Sequence, residues 1–180
     1  MLKIAIVGNI ASGKTTVEQI LKDKGFKVYD TDKIAHVILE SSEEVKREFG
    51  TVNRKEIAKI VFSDSKMLET LESIIHPQVK QELEKIFNKE ADIVFISVPQ
   101  LFEAGFDPMF DIIIYITADK EIRKKRLIER NNLTENEAIK RINAQEENNK
   151  REKSNFIIEN NSTIDDLKIQ VEDILKSIML

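Results

Sequence analysis

Gly8-Asn9-Ile10-Ala11-Ser12-Gly13-Lys14-Thr15 fits the phosphate-loop pattern G-x-x-x-x-G-K-[ST]. Its flanks suit it. Leu2-Lys3-Ile4-Ala5-Ile6-Val7 is a short apolar run that reads as a buried strand. Behind the pattern, Lys14 to Lys24 carries Val17, Ile20 and Leu21 at helical spacing. A strand that turns through glycines into a helix aims free N–H groups and a positive dipole end at one spot, which suits a nucleoside triphosphate. Asn9, Ile10, Ala11, Ser12, Gly13, Lys14, Thr15 and Thr16 are therefore the first candidate binding residues. Lys14 reaches the β- and γ-phosphates in such a loop, and the Thr15 hydroxyl ligates Mg²⁺. The plain alternative is a glycine turn that merely joins strand to helix. The chain has only five glycines, and the pattern takes two of them.

Working outward, strand signals alternate with helical stretches. Gly25 reads as the stop of the first helix. Phe26 to Tyr29, Asp92 to Val98, Asp111 to Ile116 and Phe156 to Ile158 read as the second to fifth strands. Most are short and uniformly apolar, so helices are expected on both faces. The β-α-β-α-β order predicts an α/β, three-layer P-loop NTPase fold with a five-stranded parallel sheet. Residues 33–90 are too long for one crossover helix. Apolar spacing there predicts short helices at Ile34–Leu39, Glu56–Phe62, Met67–Ile75 and, after Pro77, Val79–Phe87. One domain is expected, with its core in 1–32, 91–118 and 151–180. A helical acceptor-binding insertion is expected at about 33–90 and a helical lid at about 119–150. The Asn and Glu around 143–149 are polar enough for mobility. A last helix is expected from about Ser162 to Ile178, with Asp165 or Asp166 in its first turn.

Composition narrows the classes. The 180-residue chain is 41% hydrophobic, enough for a real core, and its net charge of −4 argues against a nucleic-acid partner. It has no cysteine, which excludes a disulfide framework, a thiolate metal site and a Cys nucleophile. No apolar run reaches the length of a membrane span. A cytoplasmic protein, monomeric or weakly homo-oligomeric, is expected.

A phosphate loop serves GTPases, ATPases and small-molecule kinases alike. The base-reading motif N-K-x-D of GTPases is absent from the sequence, and large motor or transporter ATPases need more chain. A compact domain with a helical cover and an Arg-rich arm is the plan of a nucleotide-type kinase. Phosphoryl transfer is mostly positioning and charge neutralisation, and a closing basic arm supplies both. Within the arm, Arg123, Lys124 and Lys125 read as a solvated helix face, whereas Arg130 and Arg141 are candidates for pairing with phosphates or stacking on adenine. His36 and His76 form no ligand cluster.

The chain resembles the dephospho-CoA kinase family through an ordered set of short pieces. After the phosphate loop come Val28-Tyr29-Asp30-Thr31-Asp32-Lys33-Ile34-Ala35, Val52-Asn53-Arg54-Lys55-Glu56-Ile57 with Val61-Phe62, and Ile75-His76-Pro77. Val98-Pro99-Gln100-Leu101-Phe102-Glu103, Arg126-Leu127 with Arg130, Arg141-Ile142-x-x-Gln145, and Phe156-Ile157-Ile158-Glu159-Asn160 complete the set. The resemblance implies an ATP- and Mg²⁺-dependent kinase acting on the ribose 3′-hydroxyl of dephospho-CoA. It implies a catalytic carboxylate at Asp32, which would orient and help deprotonate that hydroxyl; the plain alternative is that Asp32 only caps the following helix. Lys14 and Arg141 join Asp32 as catalytic candidates. Arg130, Arg141 and Asn160 are nucleotide candidates, and Asp32, Asn53, Arg54, His76, Leu101 and Phe102 acceptor candidates. The chain departs from the family pattern at Ser97, where the family carries Asp, at Asn9-Ile10-Ala11 in place of Gly-Ile-Gly, and in a shorter stretch between Gly50 and Asn53. Two rivals stay open: a kinase for another nucleotide or metabolite, and an ATP-binding relative without catalysis.

Overall fold

The computed structural model describes residues 1–90, 92–145 and 148–179. Glu146 and Glu147 of the polar run lie outside the described residues, as do Ala91 and Leu180 at the ends of two expected core segments. The chain divides into two compact units, Met1–Tyr29 with Asp92–Leu180, and Asp30–Ala91.

The first unit holds the sheet. Strands β1 (Leu2–Gly8), β2 (Lys27–Asp30), β3 (Ile93–Ser97), β4 (Ile112–Thr117) and β5 (Phe156–Glu159) lie in the order β2-β3-β1-β4-β5. The sheet is parallel as expected; β1 pairs with β3 through Ile4↔Phe95 and with β4 through Ile6↔Ile114. Side chains alternate across a strand. Ile4, Ile6, Phe95, Ile114, Ile116 and Ile158 therefore share one face. They form a core with Val17, Ile20 and Leu21 of α1 (Lys14–Asp23) and Leu167, Val171 and Leu175 of the last helix, Ile164–Met179. Residues of the other face, among them Ala5, Val7, Val94 and Ile96, are buried as well. Burial on both faces explains why these strands read as continuous apolar runs. Gly25 ends α1 at φ 88°, a left-handed conformation that glycine adopts without strain.

The 119–150 stretch contains α6 (Lys120–Asn131) and α7 (Glu135–Asn143). Thr134 opens α7 with a reciprocal capping box to Glu137. Leu127, Ala138 and Ile142 form a small core between α6 and α7, and Ile10 and Ala11 of the phosphate loop pack against it.

The second unit is all helical: α2 (Thr31–Ser41), α3 (Glu43–Phe49), α4 (Arg54–Ser63) and α5 (Ser65–Lys89). Two expectations are corrected. The short helix α3, capped by Ser42 and ended by Gly50 at φ 71°, was not predicted. The two helices expected on either side of Pro77 are one 25-residue helix. Its buried residues Ile74, Ile75, Val79, Leu83 and Phe87 run through the proline. Packing on both sides thus outweighs the break that Pro favours. Just after the proline, the Gln78 side chain donates to the Ile74 carbonyl at 3.0 Å.

Candidate nucleotide and phosphoryl-transfer site

β1 delivers the chain at Gly8 into a loop that enters α1 at Gly13. Gly13 is the N-cap, at φ 95°, and it supplies no side-chain cap. The first N–H groups of α1 are thus left for another acceptor, at the positive end of the helix dipole. Glycine is required twice. A Cβ on Gly8 would stand 2.7 Å from Ser12 Oγ, and one on Gly13 would collide with the Asn160 side-chain amide. Ala11 also takes a left-handed conformation, at φ 59°. Asn9 and Ser12 are buried, and neither the Asn9 side-chain amide nor Ser12 Oγ has a hydrogen-bond partner. Buried polar groups are normally satisfied, and three such atoms in one short loop are unusual.

The loop is braced from behind. Asn160, just past β5, donates from Nδ2 to the Ser12 carbonyl at 2.9 Å. Arg126 donates to the Ala11 carbonyl at 3.4 Å and to the Asn160 carbonyl at 3.0 Å. Arg123 Nε donates to the Ile10 carbonyl at 3.0 Å, and the Ile10 N–H donates to Gln145 Oε1 at 2.7 Å. This corrects the reading of Arg123 as part of a solvated face: it is fully buried. Helical phase is the reason. Arg123 lies one turn before Leu127, also fully buried, so both share the inner face of α6. Arg126 too was not singled out as a site residue.

Lys14 opens α1. Its ammonium pairs with Glu18 at 2.8 Å and donates to the Ser97 hydroxyl at the end of β3. Ser97 is fully buried and Glu18 nearly so. Neither Glu18 nor the Lys14–Ser97 link was anticipated; the signal for Glu18 was its i, i+4 spacing from the loop lysine. Thr15 and Thr16 are exposed in the first turn. Leu101 is fully buried and shapes the turn after β3 from within, while Phe102 is half-buried beneath Lys153, whose ammonium lies 5.3 Å from the ring centre. Arg130 and Arg141 are exposed on α6 and α7. Lys124 pairs with Glu121 one turn earlier in α6 at 2.7 Å and joins α6 to α7 through Glu135 at 2.8 Å. Those hydrogen bonds raise the Lys124 pKa, and the one from Lys124 lowers that of Glu135.

In the helical unit, Asp30 rather than Asp32 caps α2: its carboxylate accepts the Asp32 N–H at 2.9 Å. Asp32 is thus not the N-cap; it is an exposed acidic residue in the first turn of α2. Asn53 caps α4, accepting from the N–H groups of Lys55 and Glu56, and Arg54 is the exposed first residue of that helix. His76 is half-buried on α5.

The model of the dephospho-CoA kinase family matches residues 2–166 of this sequence. The chain belongs to the dephospho-CoA kinase family. A dephospho-CoA kinase of Fusobacterium nucleatum is 39% identical over 97% of both chains. A Thermus thermophilus crystal structure superposes with a TM-score of 0.85 at 34% identity, over 98% of this chain and 97% of the other. The dephospho-CoA kinase of Campylobacter jejuni gives a TM-score of 0.76 at 28% identity, over 98% and 96%. Dephospho-CoA kinases are transferases, so the P-loop kinase fold and the phosphotransferase class expected above are those found. Among the described residues, no helix is long and apolar enough to cross a membrane.

Proposed function

We propose that this chain transfers the γ-phosphoryl group of ATP to the ribose 3′-hydroxyl of dephospho-CoA. The observation that carries the reading is the phosphate loop itself. It couples an uncapped helix start to Lys14 and to the buried, unpartnered Asn9 and Ser12, in a chain of this family.

ATP phosphates take the N–H groups at the start of α1, and the Lys14 ammonium neutralises charge on the transferring group. A Mg²⁺ ion fits the donor set. It keeps several waters and takes one or two protein oxygens alongside substrate phosphates. Thr15 offers an exposed hydroxyl for this, and no cluster of three His, Cys, Asp or Glu among the described residues points to an all-protein cage. When bound, Mg²⁺ would neutralise phosphate charge. Asp32 follows β2, in the region past a strand's carboxyl end where ligands lie in open α/β sheets. Its carboxylate accepts the proton of the attacking hydroxyl and aligns it. Arg141 and Arg130 close on the phosphates from the lid, and Asn160 holds the loop shape beside the nucleotide. Asn53, Arg54, His76 and Phe102 contact the acceptor, and Leu101 shapes its site from within.

A coupled assay of ADP release with ATP, Mg²⁺ and dephospho-CoA tests this, with Asp32→Asn alongside. The expected result is turnover that falls by about a hundredfold or more in the variant. Turnover on another nucleotide but none on dephospho-CoA would replace the acceptor, and full activity of Asp32→Asn would remove Asp32 from the chemistry.

A further inference from the structure

Glu18 is the one buried carboxylate among the described residues, at 6% exposure. It sits in the second turn of α1, among Val17, Ile20 and Leu21, where an apolar residue would serve the fold. A carboxylate in such a place requires a close opposite charge. Its partner is Lys14, at 2.8 Å. Helix stability does not account for the pair. At i, i+4 spacing the better order is Glu before Lys, and here Lys comes first. The ammonium also donates to Ser97, whose hydroxyl is neutral and fully buried. An ammonium has three donors. Glu18 and Ser97 engage two, which leaves one to turn toward a phosphate oxygen.

We propose that Glu18 is a positioning residue of the nucleotide site: its carboxylate supplies the fixed counter-charge that holds the Lys14 ammonium beside the end of β3. The inference rests on the nucleotide-binding reading given above. Ser97 completes the cradle with a neutral, buried hydroxyl at the end of β3. The acidic group of the cradle comes from helix α1. The same carboxylate competes with incoming phosphates for Lys14 and repels them. Glu18 therefore trades nucleotide affinity for placement of the lysine, and its removal moves affinity and turnover in opposite directions.

Three variants test this: Glu18→Gln, which keeps shape and a hydrogen-bond acceptor without charge; Ser97→Asp; and the two combined, which moves the charge from helix to strand. ATP dissociation constants are measured calorimetrically without acceptor. Values of kcat follow with ATP, Mg²⁺ and dephospho-CoA, and thermal unfolding confirms the fold. Glu18→Gln is expected to tighten ATP about threefold to tenfold while kcat falls about tenfold, as when a ground-state strain that is relieved in the transition state is removed. Ser97→Asp alone places two carboxylates on one ammonium and weakens ATP about tenfold. The combined variant is expected within about threefold of the unsubstituted protein in both quantities, the non-additivity typical of groups in contact. A Glu18→Gln variant that changes only its melting temperature, with affinity and kcat intact, overturns the proposal. So does a folded combined variant no better than Ser97→Asp. Because binding is read without acceptor, it reports on Glu18 even if the unsubstituted protein fails to turn over dephospho-CoA, an outcome that would count against the acceptor assignment alone.

Discussion

Gly13 and Asn160 are predicted to be energetically coupled, and the size of the coupling follows from their geometry. Gly13→Ala carries two costs. A side chain at φ 95° is strained by about 1–2 kcal/mol. The new Cβ also collides with Asn160 Nδ2 and lies 3.3 Å from its Cγ. Asn160 must then swing away and give up its 2.9 Å bond to the Ser12 carbonyl. With both residues buried, the lost bond costs about 1–3 kcal/mol. The single variant should therefore lose about 2–5 kcal/mol. Asn160→Ala loses the same bond and should cost about 1–3 kcal/mol. In the double variant the bond is lost once and the collision is gone, so the total should match Gly13→Ala alone. The double-mutant cycle should show a coupling of about 1–3 kcal/mol. Urea unfolding with constant m-values measures it. Additivity within about 0.5 kcal/mol would refute the brace.

Arg123→Ala should cost about 2–4 kcal/mol in thermal or urea unfolding, because it opens a cavity and strands the Ile10 carbonyl, whereas exposed Lys125→Ala should stay within about 0.5 kcal/mol; equal effects would return Arg123 to the solvated face. Ala11→Gly relieves a left-handed residue and should raise stability by about 0.5–1 kcal/mol; a loss of that size would mean that the methyl's packing against Leu127 and Ile142 dominates. The pKa values of Glu137 and Asp166 are held low by hydrogen bonds, Glu137 by the Thr134 side chain first and Asp166 by the Ser162 side chain first. A carboxylate lowered in the folded state contributes stability that is full above its unfolded pKa of about 4 and is lost as pH falls through the folded value. Melting temperature should thus fall on acidification below that range. Glu137→Gln and Asp166→Asn should lower it at neutral pH and flatten the acid limb, and an unchanged acid limb would exclude them as its source.

The sheet was readable because parallel strands buried on both faces leave uninterrupted apolar runs, and the phosphate loop because it joins such a run to a helix. Pro77 misled because local chain preference argues for a break while Ile74, Ile75, Val79 and Leu83 place one apolar stripe across it. Helix α3 escaped because seven residues carry only Val45 and Phe49 as apolar anchors. Composition could not separate Arg123 from Lys124 and Lys125. Only the phase shared with Leu127 marks it as inward-facing. Glu18 was hidden for a related reason: a lone acidic residue on an amphipathic helix looks like surface until its partner's position is known. Asp32 is proposed through resemblance alone, and the structure adds that capping is done by Asp30.

The 2.7 Å bond from the Ile10 N–H to Gln145 gives this enzyme family member a built-in gauge. One amide of the phosphate loop is satisfied not by the loop or by nucleotide but by a side chain just past α7. Any swing of α6 and α7 that draws Gln145 away leaves that single proton open to solvent, and any tightening shields it. The Ile10 amide resonance, followed by hydrogen exchange through a titration with ATP, would report arm position directly, without a label or a substitution.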